Sequence, residues 1–78
     1  MIYSAAPIAV KYKRALMTIY VFDKMLDSGI TIDEIKNNLE TSKSTAYEII
    51  NDIQSFICDF YRYDLELVKI NGRYYLKK

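Results

Sequence analysis

Apolar residues recur at helical spacing from Ile8 to Ser28, where Tyr12, Ala15, Leu16, Ile19, Phe22 and Leu26 fall on a single stripe. The pattern predicts a first helix over residues 8–28 whose stripe faces the core. Gly29 follows, in the place of a left-handed residue that ends a helix. Residues 1–7, "MIYSAAP", combine Pro7 with small side chains and are expected to be a non-helical lead. Thr31 and Glu34 have the spacing of a capping box, in which the hydroxyl accepts from the Glu34 amide and the carboxylate accepts from the Thr31 amide. A short second helix is expected over residues 31–40, with Ile35 and Leu39 as its apolar contacts. Ser42 is the next cap, and residues 42–61 predict a long third helix burying Ala46, Ile49, Ile50, Ile53, Phe56, Ile57 and Phe60.

The period then changes. In "LELVKINGRYYLKK", β-branched and aromatic residues flank Asn71-Gly72, a strong signal for a two-residue hairpin turn of type I′. That turn fixes the register of a hairpin over residues 65–78: Ile70 opposite Arg73, Lys69 opposite Tyr74, Val68 opposite Tyr75, Leu67 opposite Leu76 and Glu66 opposite Lys77. The expected class is mostly α with a C-terminal β-hairpin, in one domain spanning residues 1–78.

Length limits what such a chain can do. With 78 residues it can bury one small core but cannot enclose a large active-site cleft. It has no histidine and a single cysteine, so the commonest zinc ligand and general base are missing and no internal disulfide can form. Cys58 lies near the buried face of the third helix and is expected to pack there. Asp59, Asp64 and Glu66 form a solvated corner, and no metal, cofactor or small-molecule substrate is expected. The longest apolar run, Ala15 to Phe22, is too short to span a membrane and has no cleavage site of a signal peptide, so a cytoplasmic protein is expected. No nucleophile and base stand together, and no enzymatic activity is expected.

Two helices joined by a short turn, a third behind them and a hairpin after it give a three-helix winged helix-turn-helix. The segments "SKSTAY", Ser42 to Tyr47, and "LVKINGRYYL", Leu67 to Leu76, resemble the amino-terminal winged-helix domains of the Mga-type and PRD-containing bacterial transcription regulators. The resemblance covers roughly Ile19 to Leu76. It implies sequence-specific binding of double-stranded DNA, by a transcription regulator or its DNA-binding domain. In the helix-turn-helix pattern Glu40 takes the place of the turn glycine, which puts a non-glycine residue at positive φ. Lys36 and Thr41 take the places of a small and an apolar turn residue.

The residues expected to meet DNA are Lys43, Ser44, Thr45, Tyr47, Glu48 and Asn51 on the third helix, and Lys69, Asn71 and Arg73 on the wing. Between Gly29 and Cys58, however, two lysines stand against five acids, a net charge of −3. The basic residues lie instead at Lys11, Lys13 and Arg14 and around the wing. This balance keeps a second function open: a winged-helix protein–protein interaction module without DNA binding. A homodimer is expected because one module reads only a few base pairs, and Met1, Ile2, Tyr3, Ile8 and Val10 offer apolar material for its interface. Most of the eight tyrosines are expected in the core or in that seam.

Overall fold

The computed structural model describes residues 6–60 and 64–78, with side chains from residue 12 onward. The elements are α1 (Ala6–Leu26), β1 (Ile30–Thr31), α2 (Ile32–Asn38), α3 (Lys43–Phe60), β2 (Glu66–Ile70) and β3 (Arg73–Lys77). Helix α1 begins before Pro7 rather than after it. Pro7 thus belongs to the helix rather than to the expected lead. The expected interface residues Met1, Ile2 and Tyr3, and the side chains of Ile8 and Val10, lie outside the described residues.

Local signals shape the middle of the chain. Thr31 caps α2, with its hydroxyl accepting from the Glu34 amide at 3.0 Å and Glu34 Oε1 accepting from the Thr31 amide at 3.2 Å. The helix closes in a Schellman turn: the Thr41 amide donates to the Lys36 carbonyl at 3.0 Å, and Glu40 adopts φ 51°. That left-handed conformation strains a side chain bearing Cβ. Replacing Glu40 with glycine is therefore expected to stabilise the protein by roughly 0.5–1 kcal/mol, read as a higher urea midpoint. Ser42 then caps α3, its hydroxyl accepting from the Thr45 amide at 3.1 Å.

The hairpin has the predicted register at all five pairs, with Asn71 at φ 52° and Gly72 at φ 81° as a type I′ turn requires. A third strand joins it. Ile30 and Thr31 pair antiparallel with Tyr74 and Arg73, giving a sheet in the order β1-β3-β2. Gly29, at φ 82°, lets the chain turn from α1 into β1.

Val21, Met25, Ile30, Ile35, Ile49 and Ile53 form the centre of the core, closed by Ile57 and the inward face of β3, Tyr74 and Leu76. Here α1 departs from expectation. Its core side is Met17, Val21 and Met25, whereas Tyr12, Leu16, Ile19 and Leu26 from the predicted stripe are exposed. The helix is apolar on two sides, and the side carrying Val21 and Met25 is the one that meets the core. On α3 the expected Ala46, Ile49, Ile50, Ile53 and Ile57 are buried, but Phe56 is 42% exposed and Phe60 70% exposed. Both rings lie on the flank of the helix and stack along the surface. Cys58 is likewise exposed rather than packed, because it is turned away from Ile57; its sulfur accepts from the Gln54 amide at 3.5 Å. Among the described tyrosines Tyr74 is buried and Tyr75 half-buried, while Tyr12, Tyr20 and Tyr47 are exposed.

Candidate interaction surfaces

Two surfaces compete for function. The first is the polar face of α3 with the wing. Lys43 and Ser44 are exposed in the first turn of α3, and Tyr47, Glu48 and Asn51 are exposed further along it. The Thr45 hydroxyl is occupied in the cap, accepting from the Ser42 hydroxyl at 3.0 Å. A shallow cleft of about 370 Å³ brings Lys43, Tyr47, Lys69 and Asn71 together, with Asp33 on its wall. The Lys69 ammonium lies 5.3 Å from the centre of the Tyr74 ring. Ser44, Thr45, Glu48 and Asn51 do not line this cleft.

Both described arginines are half-exposed and engaged in ion pairs within the chain. Arg73 forms a two-pronged pair with Glu34, Nη1 to Oε1 at 3.1 Å and Nη2 to Oε2 at 3.0 Å, and Nη1 also donates to the Gly29 carbonyl at 3.2 Å. This ties the wing to the start of α2. The bonds from Arg73, followed by that from the Thr31 amide, hold the Glu34 carboxyl below its ordinary value. The bond to Glu34 likewise raises the guanidinium of Arg73. A lowered folded-state value means that the contribution of Glu34 to stability is complete above the ordinary glutamate value of 4.5 and is lost as the pH falls through the folded value. The stability difference between wild type and Glu34→Gln should therefore shrink on acidification from pH ~7 to pH ~3, measured as urea midpoints.

Arg14 of α1 bridges two acids of α3, Glu48 at 3.3 Å and Asp52 at 3.0 Å. Glu48 and Asp52 are four residues apart, so one helical turn presents both carboxylates to one guanidinium. The central acid of the polar stripe is thus neutralised by the helix behind it, which uses up a cation that would otherwise meet phosphate.

The second surface is apolar and lies where α1 and α3 run side by side. A groove of about 510 Å³ is lined by Ala15, Thr18, Ile19, Phe22, Ile53 and Phe56, with Asp52 at one end. Phe22 meets Phe56 edge to face, with ring centres 6.0 Å apart, and Phe56 stacks on Phe60 at 5.0 Å. Beside the groove α1 presents Leu16 to solvent, and Ile19 on its rim is 63% exposed. Soluble monomers rarely leave an apolar patch of this extent uncovered. No helix among the described residues is long and apolar enough to cross a membrane.

No family model matches the chain, and no curated protein matches it. Among solved structures it is similar to the crystal structure of a dimer of the ScpB N-terminal domain complexed with a ScpA peptide, with 24% sequence identity and a TM-score of 0.64. The match covers 90% of this chain and 84% of the other. The fold is a winged helix. In this winged helix β2 and β3 are the wing, α2 and α3 flank the turn at Glu40, and β1 secures the wing to the helical body. The winged-helix part of the resemblance seen in the sequence is thereby shown. Its narrower part, to Mga-type and PRD-containing regulators, rests on the two motifs alone.

Proposed function

We propose that this winged helix is a protein–protein interaction module, that it docks partners through the apolar face of α1 and α3, and that it has no catalytic role. The observation that carries this reading is the exposed row of Leu16, Ile19, Phe56 and Phe60, large side chains that the core of the monomer does not use. Electrostatics agree with it. Arg14 and Arg73, the described residues best suited to phosphate, are engaged with Glu48, Asp52 and Glu34. The similar ScpB domain is a dimer in complex with a peptide of another protein, which is consistent with this fold serving assembly.

A second reading, recognition of double-stranded DNA by a Mga-type regulator, is favoured by the cleft that gathers Lys43, Tyr47, Lys69 and Asn71 at the start of α3. Selection from random-sequence duplexes at low salt separates the two. The interaction reading predicts no enriched motif, and only sequence-independent association at about 10⁻⁴–10⁻⁶ M that salt removes. An enriched motif whose binding falls on Tyr47→Ala or Asn51→Ala, and is untouched by Ile19→Asp, would establish the DNA reading instead.

A further inference from the structure

We infer that the occupant of the apolar face is a second copy of this chain, seated across a two-fold axis that runs α1 against α1 of the partner in antiparallel orientation. This deepens the interaction reading and rests on it.

Three features of the chain select that occupant. The first is spacing. Tyr12, Leu16, Ile19, Asp23 and Leu26 follow one another by four, three, four and three residues, the interval of a coiled-coil seam, and they lie on the side of α1 opposite Val21 and Met25. An antiparallel copy of such a strip can pack its side chains between those of the first. Centred on Ile19, the two-fold sets Tyr12 opposite the partner's Leu26 and Asp23 opposite the partner's Ala15, whose small side chain leaves room for the carboxylate.

The second is charge. The first half of α1 carries Lys11 and Lys13, and its end carries Asp23 beside Lys24, with Asp27 just beyond it. Antiparallel packing brings the basic half of each helix to the acidic end of the other, whereas parallel packing would set like charges together. Lys13 and Asp27, both exposed, share one flank of the seam. They are fourteen residues apart, roughly 21 Å along one helix, and so can meet only between copies.

The third is area. Tyr12, Leu16, Ile19, Leu26, Phe56 and Phe60 leave roughly 600 Å² of mostly apolar surface exposed per protomer, close to the about 800 Å² per partner of a standard interface.

The test is sedimentation equilibrium of the full chain up to roughly 100 µM, a range that detects micromolar dimers. Wild type should sediment at twice its 9.2 kDa monomer mass. Ile19→Asp should be monomeric with an unchanged circular dichroism spectrum, since Ile19 is outside the core. Lys13→Asp and Asp27→Lys should each weaken the dimer by about five- to tenfold, and the two together should restore most of it, as expected for a charge pair exchanged across a two-fold. Wild type that stays monomeric throughout overturns the second-copy assignment. So does a dimer indifferent to Ile19→Asp, or a double variant no tighter than either single. The broader reading fails separately: it falls only if the duplex selection yields a motif read by Tyr47 or Asn51.

Discussion

Gly29→Ala is expected to destabilise the protein by roughly 3 kcal/mol, with two causes that act together. The backbone at Gly29 has φ 82°, a conformation that side chains bearing Cβ rarely adopt. An added Cβ would also stand 2.6 Å from a Tyr75 ring carbon and 2.8 Å from Cγ of Arg73. Neither neighbour retreats freely. The Arg73 stem is anchored by its bonds to Glu34 and to the Gly29 carbonyl, and Tyr75 sits in β3 beside the Lys77 ammonium, 5.6 Å from the ring centre. Relief would require β3 to move away from β1, which breaks the tie between wing and body. Chemical denaturation followed by far-UV circular dichroism measures the loss. Gly72→Ala is the control: Gly72 also has positive φ, at 81°, but an added Cβ meets nothing within 4 Å, so only the conformational part, about 1 kcal/mol, should be lost.

A second large effect separates the residues that hold the monomer together from those that do not. Ile49→Ala should cost about 2–5 kcal/mol, because Ile49 is wholly buried on the core face of α3 and its loss leaves a cavity. Phe60→Ala removes a larger side chain from the same helix, yet should cost the monomer under about 1 kcal/mol, since the ring is mostly exposed and its described aromatic contact is Phe56. Urea unfolding should be followed at a concentration below that of dimer formation, so that only the fold is measured. A Phe60→Ala loss as large as that of Ile49→Ala would mean that the aromatic row belongs to the core, and would remove the reason for calling it an interface.

The features legible in the sequence were those set by neighbours along the chain. Asn71-Gly72 determines its turn, and with it five strand pairs, because both residues accept positive φ. Thr31 and Glu34 satisfy each other's amides within one turn. Glu40 is left-handed because the chain must reverse between α2 and α3 within a few residues. What could not be read was set by distant contacts. Helix α1 has apolar residues on opposite sides, and only the placement of α3 and β3 decides that Val21 and Met25 go inward while Leu16 and Ile19 stay out. Strand β1 has two residues, too few to show an alternation. Arg73 reads naturally as a wing cation, but its partner Glu34 is 39 residues away and already identified as a cap. For the Arg14 bridge there was a signal: Glu48 and Asp52, one turn apart, present paired carboxylates that suit a guanidinium.

The same division applies to function. Tyr47, Asn51 and the wing are where the sequence pattern points to base recognition; Tyr47, Asn51, Lys69 and Asn71 are exposed, whereas Arg73 is half-buried and bound to Glu34. The charge around them is otherwise than DNA would favour, because Glu48 lies at the centre of the stripe and Arg14 is bound to it. The apolar face of α1 and α3 is defined by which of their side chains the core takes up, a long-range outcome that no local pattern specifies.

Site-specific photo-crosslinking in the protein's own cell tests most directly which surface is used. A photoreactive residue is placed at position 19 on α1 in one experiment and at position 51 on α3 in another; both positions are exposed, so neither change should disturb folding. Adducts with protein from position 19, a second copy of the chain chief among them, and no adduct with DNA from position 51 are the predicted result. Crosslinks to DNA from position 51, with none to protein from position 19, would contradict the account.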